Sequence, residues 1–327
     1  MPRSCWPVRI ALPAMLMACA FATWPAASQT PYPSQTIKLM VPNAAGGLPD
    51  TVARIVGRRL QDRMAQSVVI ENRPGANGRV AVAALLSAPA DGYTLLVTDG
   101  AILSINPLLH ANLAYNPGDI LPVAMLARAP LFLAVHPKVP AATMSEFIAY
   151  AKARHGEINY GSSGVGSTHH LSMEAMNAAL ALAMVHVPFK GTGESVPALL
   201  GGHIDVLFSA YPSLSGAAES KQVRLLASNA AQRSAQAPDV PALAEFIPGF
   251  DFAPVIGIFA RAGTPSSVVE RIVAEAIAVV KEPEIVRQLA VVGVEPAGAG
   301  PEGFASALQA ETRRAAEAVR AAGITAK

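Results

Sequence analysis

The stretch Val41–Arg54, VPNAAGGLPDTVAR, constrains the fold more than any other part of the chain. An apolar run, Thr36–Val41 (TIKLMV), stops at Pro42, and small residues lead into Gly46-Gly47. Helical periodicity then starts at Pro49: Val52, Val56, Leu60 and Met64 recur every four residues, and proline suits a first helical turn. The pattern is strand, glycine turn, helix. Such a turn leaves backbone N–H groups unpaired at the positive end of a helix, where an anion can sit. A plain strand-to-helix connection also needs a glycine or two, so this stretch alone leaves both readings open.

The same alternation continues along the chain. Val68–Glu71, Tyr93–Thr98, Ala129–His136, Ile158–Ser163, Met184–Pro188, Ile204–Phe208, Val223–Ala227 and Phe252–Ala260 read as strands. Helical patterns separate them at Val80–Ser87, Phe147–Arg154, Thr168–Ala183 and Ser195–Leu200, then from Thr264-Pro265 to Lys281 and over Pro301–Ala322. Thr143-Met144-Ser145-Glu146 has the form of a capping box. Strands spaced by helices predict an α/β protein with mainly parallel sheets covered on both faces. With 52% hydrophobic and 15% charged residues, the 327-residue chain can fill two such domains.

Residues 1–28 read as a secretory leader: Arg3 and Arg9 are basic, Ala11–Ala22 is apolar, and Ala26-Ala27-Ser28 is a small-residue exit. Cleavage near Ala27–Gln29 is expected. Leu16-Met17-Ala18-Cys19 offers an alternative, lipid anchoring through Cys19, although Met17 and the apolar residues after Cys19 fit that motif poorly. Cys5 and Cys19 are the only cysteines, so the cleaved chain has no disulfide. Removing Arg3 and Arg9 leaves 23 basic residues against 23 acidic ones, a balance that gives no electrostatic footprint for nucleic acid.

A second informative turn is Tyr160–His170, YGSSGVGSTHH. Ser162, Ser163, Ser167 and Thr168 are potential donors to a carboxylate, beside the N–H groups around Gly164 and Gly166. Ser167 or Thr168 also suits an ordinary helix cap. Hydrogen bonds to a charged group contribute about 1.5–3 kcal/mol each, so a handful reaches micromolar affinity, about −8 kcal/mol. Asp50 reads first as a cap of its helix and second as a contact for an amino or hydroxyl group. Asp205 reads as orienting a neighbouring loop, and Lys190 is the one cation in a candidate turn.

Catalytic patterns are weak. Gly164-Val165-Gly166 lacks the third glycine of a dinucleotide site, and no G-x-S-x-G elbow surrounds Ser162 or Ser163. His169 and His170 are adjacent, so on a helix they point about 100° apart and form no metal pair. His186 lies in an apolar strand and reads as a wall or core histidine. A hydrolase using Ser163 and His170 is the enzymatic alternative. No cofactor and no metal are expected.

Several blocks together resemble the Bug family, the extracytoplasmic receptors of tripartite tricarboxylate transporters. They are YPSQTIKLMVP at Tyr32–Pro42, the Gly46-Gly47, Asp50 and Ala53-Arg54 turn, ENRPGANG at Glu71–Gly78 and DGYTLL at Asp91–Leu96. Then come NYGSSGVGSTHHL at Asn159–Leu171, VHVPFKG at Val185–Gly191, LLGGHIDVLF at Leu199–Phe208, RSAQAPDVPALAE at Arg233–Glu245 and FARAGTP at Phe259–Pro265. The resemblance implies a type II periplasmic binding fold, two α/β lobes joined by two crossings. Lobe 1 would be 29–128 plus 252–327 and lobe 2 would be 129–251, with Ala129–His136 and Phe252–Ala260 as the crossings. It implies a periplasmic receptor for a small organic anion (a mono- or dicarboxylate, an amino acid or an aromatic acid) that delivers it to membrane carrier subunits. A receptor that reports its ligand to a signalling system is the alternative.

The site positions implied by the family are Ala44, Ala45, Gly46, Gly47 and Asp50 in the first turn. In the second they are Ser162, Ser163, Gly166, Ser167 and Thr168, with Lys190 and Asp205 as further candidates. Asn43-Ala44-Ala45 replaces the aromatic residue and prolines usual before the glycine pair, so Asn43 adds a polar wall group and Leu48 an apolar one. Phe189 replaces a common tyrosine, and Ser209-Ala210-Tyr211 stands where an acidic or amide residue is frequent. These changes touch the pocket wall, so the ligand is not transferable from a relative.

Overall fold

Each apolar run bounded by proline or glycine becomes a strand, and each four-residue repeat becomes a helix. The computed structural model describes residues 1, 31–43 and 45–326. The leader expected over 1–28 (Met1 apart), Cys19 and Ala44 lie outside the described residues. Contacts divide the chain into Met1–Pro31 and Tyr32–Lys327, and the architecture is that of the second unit.

In chain order the first elements are β1 (Ile37–Val41), α1 (Leu48–Met64), β2 (Val68–Asn72), α2 (Arg79–Ser87) and β3 (Thr94–Asp99). Two short helices, α3 (Ala101–Ser104) and α4 (Asn106–Leu109), precede β4 (Ile120–Arg128) and β5 (Leu131–Val135). Next are α5 (Met144–Ala153), β6 (Asn159–Ser162), α6 (Thr168–Ala179), β7 (Val185–Pro188), α7 (Thr192–Leu200), β8 (Val206–Ala210), α8 (Ser215–Glu219) and β9 (Arg224–Ser228). The chain ends with β10 (Val255–Arg261), α9 (Ser266–Val280), α10 (Pro283–Val291), β11 (Glu295–Ala299) and α11 (Pro301–Ala321).

Two sheets result, ordered β11-β4-β10-β3-β1-β2 and β7-β6-β8-β5-β9. The expected mainly parallel arrangement is corrected. Only β1 with β2 and β3, and β6 with β7 and β8, pair in parallel. β4, β10 and β11 in one sheet, and β5, β8 and β9 in the other, pair antiparallel. Four of these antiparallel pairings involve β5 or β10, which enter a sheet directly from the other sheet and run against their neighbours, and the fifth sets edge strand β11 against β4.

The strand period of two divides each sheet between two cores. Ile256, Ile258 and Ala260 of β10 face the core shared with α1 and α9, whereas Val255 and Phe259 face Phe304 of α11. In β5, Leu131, Leu133 and Val135 meet Phe147 and Met173, while Phe132 and Ala134 meet Leu199. Gly257 sits where an added Cβ would lie 2.4 Å from the Phe304 ring and 2.5 Å from the Ala124 carbonyl oxygen, so the crossing of α11 over β10 needs a residue without one. Thr143 caps α5 from its hydroxyl (3.2 Å to the Glu146 N–H), and the Glu146 carboxylate accepts the Ala142 N–H at 2.6 Å, one residue earlier than the capping box predicts.

The chain passes from the first sheet to the second through Ala129-Pro130 and returns through Ala253-Pro254. The two passes touch, the Ala129 N–H donating to the Pro254 carbonyl at 2.9 Å. Fully buried Asn229 knits them together. Its Oδ1 accepts the Leu131 N–H (2.8 Å), and its Nδ2 donates to the Phe252 carbonyl (2.9 Å) and to Ser172 Oγ (3.2 Å). Arg128 pairs with Asp251 at 2.5 Å beside the same junction.

The sheets also meet away from the crossings. Ala315, Ala318 and Val319 of α11 pack with Leu171 of α6 and with Ile105. On another side Glu295 accepts from Ser234 Oγ (2.5 Å) and the Ala235 N–H (3.1 Å). Because Asn229 satisfies three buried partners at once, Asn229→Ala is expected to cost roughly 3 kcal/mol in urea unfolding, far more than a surface asparagine.

Candidate functional site

Two turns, one from each sheet, open on a cleft of about 1140 Å³. The first joins β1 to α1. Gly46 has φ +86° with nothing near its missing side chain, so the backbone conformation, and not space, calls for glycine there. Gly47 is the helix N-cap and has no side chain to cap with. Among the described residues the N–H groups of Leu48 and Asp50 find no acceptor.

Asp50 is only 2% exposed and holds this loop in shape. Its carboxylate accepts the Gly46 N–H (2.9 Å), Arg54 Nε (2.9 Å) and Asn72 Nδ2 (2.8 Å), and Asn72 in turn reaches the Asn43 carbonyl at 3.0 Å. Burial acts to raise the Asp50 pKa, but Arg54, the Gly46 amide and Asn72 together outweigh it and hold the carboxyl below its usual range. With its oxygens engaged in this way, Asp50 lies off the cleft. With Ala45 it borders a smaller outer cavity of about 300 Å³.

The second turn joins β6 to α6. Ser167 is the N-cap: its Oγ accepts the His170 N–H (3.2 Å) and donates to the Gly164 carbonyl (2.7 Å). Gly166, φ +79°, runs so close to α4 that an added Cβ would lie 2.5 Å from Leu109 Cδ1. Its N–H donates to His170 Nδ1 at 3.1 Å. The N–H groups of Thr168 and His169 have no acceptor among the described residues, and Ser163 Oγ is buried without a partner.

Below this turn lies a stack the sequence did not reveal. The His170 and His186 rings are 3.8 Å apart, and His186 stacks on Tyr160 at 4.9 Å. Tyr160 donates to Glu174. His186 Nε2 lies 2.6 Å from Ser162 Oγ, which accepts the Gly164 N–H at 3.1 Å. The turn therefore rests on two neutral rings. Burial, with the neighbouring His186, pushes the His170 pKa down to about 4, and burial alone lowers those of His186 and His169, the latter to about 4.

The cleft wall carries Asn43, Gly46, Gly47, Ser163, Gly166, Ser167 and Thr168 of the expected positions. It does not carry Ser162, Lys190 or Asp205. Ser162 is buried under the turn. Lys190 is an exposed residue, and Asp205 is held by the Asn159 N–H (2.7 Å) and Lys138 (2.9 Å) at the far end of β8. Asp99, Thr98 and His169 line the cleft and were not singled out from the sequence. No lysine or arginine borders it among the described residues.

The serine–histidine geometry does not suit hydrolysis. Ser163 has no histidine partner, His170 Nδ1 already accepts an amide proton, and the close Ser162–His186 pair is off the cleft. His170 has its folded pKa depressed, so its contribution to stability is present above about 6.5 and is lost as pH falls through about 4. A plot of melting temperature against pH is expected to fall across that window, and to fall less steeply in His170→Phe, which keeps the ring stack without a titrating group.

Residues 52–324 match the family described as the tripartite tricarboxylate transporter family receptor, TctC. The chain is 32% identical over 321 residues to the protein BugT of Bordetella pertussis, covering 97% of this chain and 98% of BugT. Among solved structures it resembles Rpa4515 of R. palustris with adipate, with 31% identity, TM-score 0.77, and coverage of 90% of this chain and 100% of that one. It also resembles MatC of Rhodopseudomonas palustris with bound malate, with 30% identity, TM-score 0.71, and coverage of 88% and 100%. The resemblance read in the sequence and the expected binding-protein fold both hold. This chain belongs to the TctC family of tripartite tricarboxylate transporter receptors, the Bug proteins, and is a solute-binding protein, not an enzyme.

Proposed function

We propose that the protein captures a small organic carboxylate in the cleft between its sheets and delivers it to the membrane subunits of a tripartite carrier. The observation that carries this reading is the pair of helix N-termini, of α1 and α6, that open on one cleft free of lysine and arginine among the described residues. Each presents amides with no internal acceptor, and the helix dipoles favour negative charge there. Adipate and malate in the two similar structures support the ligand class.

In this proposal the ligand-contacting set is Asn43, Gly46, Gly47, Ser163, Gly166, Ser167 and Thr168. Asp50 and Ser162 shape the two turns from behind, and Lys190 and Asp205 are outside the set. The lobes are 29–128 with 252–327, and 129–251. This division is supported by the strand membership of the two sheets, which changes only at Ala129-Pro130 and Ala253-Pro254. Closure is a hinge motion at those two passes, and a ligand that binds the closed form better shifts the population toward it. The receptor works outside the cytoplasm, in the periplasm, after loss of a leader over residues 1–28.

The cleft is larger than a four- to six-carbon acid fills, consistent with a closing step. A thermal-shift screen against small carboxylates is expected to find a ligand that raises the melting temperature, because binding to the folded form alone stabilises it. Gly47 borders the cleft and has φ −67° and ψ 159°, dihedrals any residue adopts, so Gly47→Phe adds bulk at the cleft wall without asking the backbone to change. Gly47→Phe and Thr168→Phe are each expected to weaken binding at least ~100-fold in titration calorimetry, the loss of about two charge-assisted hydrogen bonds, with unliganded stability little changed. Undiminished affinity in both variants would rule out the two-turn seat.

A further inference from the structure

One acid sits in the cleft without a cation to balance it. Asp99 ends β3 at the centre of the first sheet, opposite Ile256 of β10. Its Oδ1 accepts the Ala101 N–H at 3.1 Å, and among the described residues its Oδ2 makes no hydrogen bond or ion pair. The side chain borders the cavity beside Thr98, Ala101 and Ile256. The nearby arginines are engaged elsewhere: Arg128 and Arg314 both turn to Asp251, at 2.5 and 3.7 Å, and neither borders the cleft.

The surroundings add negative character. Glu311 lies behind Asp99, its Oε1 accepting from Ser104 Oγ at 2.7 Å and its Oε2 buried without a partner. Burial, reinforced by Asp99, pushes the Glu311 carboxyl up to about 7, and burial likewise raises the Asp99 pKa. His169, the other ionisable group on the cleft wall, is neutral near pH 7. The floor therefore offers a desolvated acid, while the walls offer unpaired amides.

We propose that Asp99 is a cation seat, and that the ligand is a zwitterionic aminocarboxylate whose carboxylate takes the helix N-termini and whose ammonium group pairs with Asp99 Oδ2. This rests on the receptor reading above and narrows it. A dicarboxylate would bring a second negative charge toward Asp99 with no lysine or arginine on the cleft wall among the described residues, Arg314 and Arg128 acting only on Glu311 behind it. An ammonium group instead meets a half-buried acid, where opposite charges attract more strongly than in bulk water. Ile102, Leu131 and Ile256 on the same wall provide apolar surface for the carbon chain.

The test is calorimetric titration of the purified protein with α- and ω-amino acids and with dicarboxylates of matched chain length. An aminocarboxylate is expected to bind roughly 10–100-fold more tightly than the matched dicarboxylate, the range of one charge-assisted hydrogen bond. Asp99→Asn retains an acceptor for the Ala101 N–H and is expected to lose about that factor for the aminocarboxylate while binding the dicarboxylate no worse. In wild-type protein, the matched N-acetyl amino acid, which lacks the ammonium charge, is expected to bind at least about tenfold more weakly than the aminocarboxylate. That second measurement does not depend on the variant folding.

Preference of wild-type protein for dicarboxylates, unchanged in Asp99→Asn, or equal affinity for the N-acetylated ligand would overturn the cation seat and leave the receptor reading in place. Failure of both ligand classes to bind would overturn the receptor reading itself.

Discussion

The structure depends on amides that the protein itself leaves without acceptors. A helix begins with four N–H groups that nothing inside it can satisfy, and leaving them buried and dry is costly. α1 starts on Gly47, which has no capping side chain, and α6 leaves Thr168 and His169 uncapped although Ser167 caps His170. Both helices direct these groups toward one cavity. A cavity wall without lysine or arginine among the described residues can attract an anion in this way, and in the proposed function the negative guest does what a cap would otherwise do.

Holding such amides in place requires rigid support, and the two turns obtain it differently. The first is drawn together by a charge: the Asp50 carboxylate gathers Gly46, Arg54 and Asn72 around itself. The second rests on uncharged rings, with His170 taking the Gly166 amide and His186 holding Ser162. Acid therefore reaches them by separate routes. Protonating His170 removes an acceptor that the second turn needs, whereas Asp50 keeps its charge to lower pH.

Both turns were legible because glycines, a proline and helical spacing coincide there, and the family blocks run through them. The missed elements lacked such signals. β4 carries Pro122 in mid-strand, a residue that argues against a central strand, yet it pairs on both sides. The register against β10 slips between Ile258 and Phe259, which pair with Ala124 and Pro122, so the proline sits at an irregularity. β11 (EPAGA) has no branched or aromatic residue, and only its neighbours make it a strand. Asp99 carries no such signal, because its position above the cleft follows from the antiparallel return of β10 from the other sheet. The histidine stack has the same origin: residues 170 and 186 meet only once β6 and β7 pair.

The packing of α11 on α6 has a mechanical meaning. The facing surfaces are Ala315, Ala318, Val319 and Leu171, and among the described residues no hydrogen bond or ion pair joins the two helices. A contact made of methyl groups has little directional preference, so it behaves as a bearing and not as a latch. In the proposed closure one helix slides a short distance over the other while the apolar area stays covered, and the resistance to the swing lies at the two proline-bearing passes and in the Glu295 hydrogen bonds to Ser234 and Ala235.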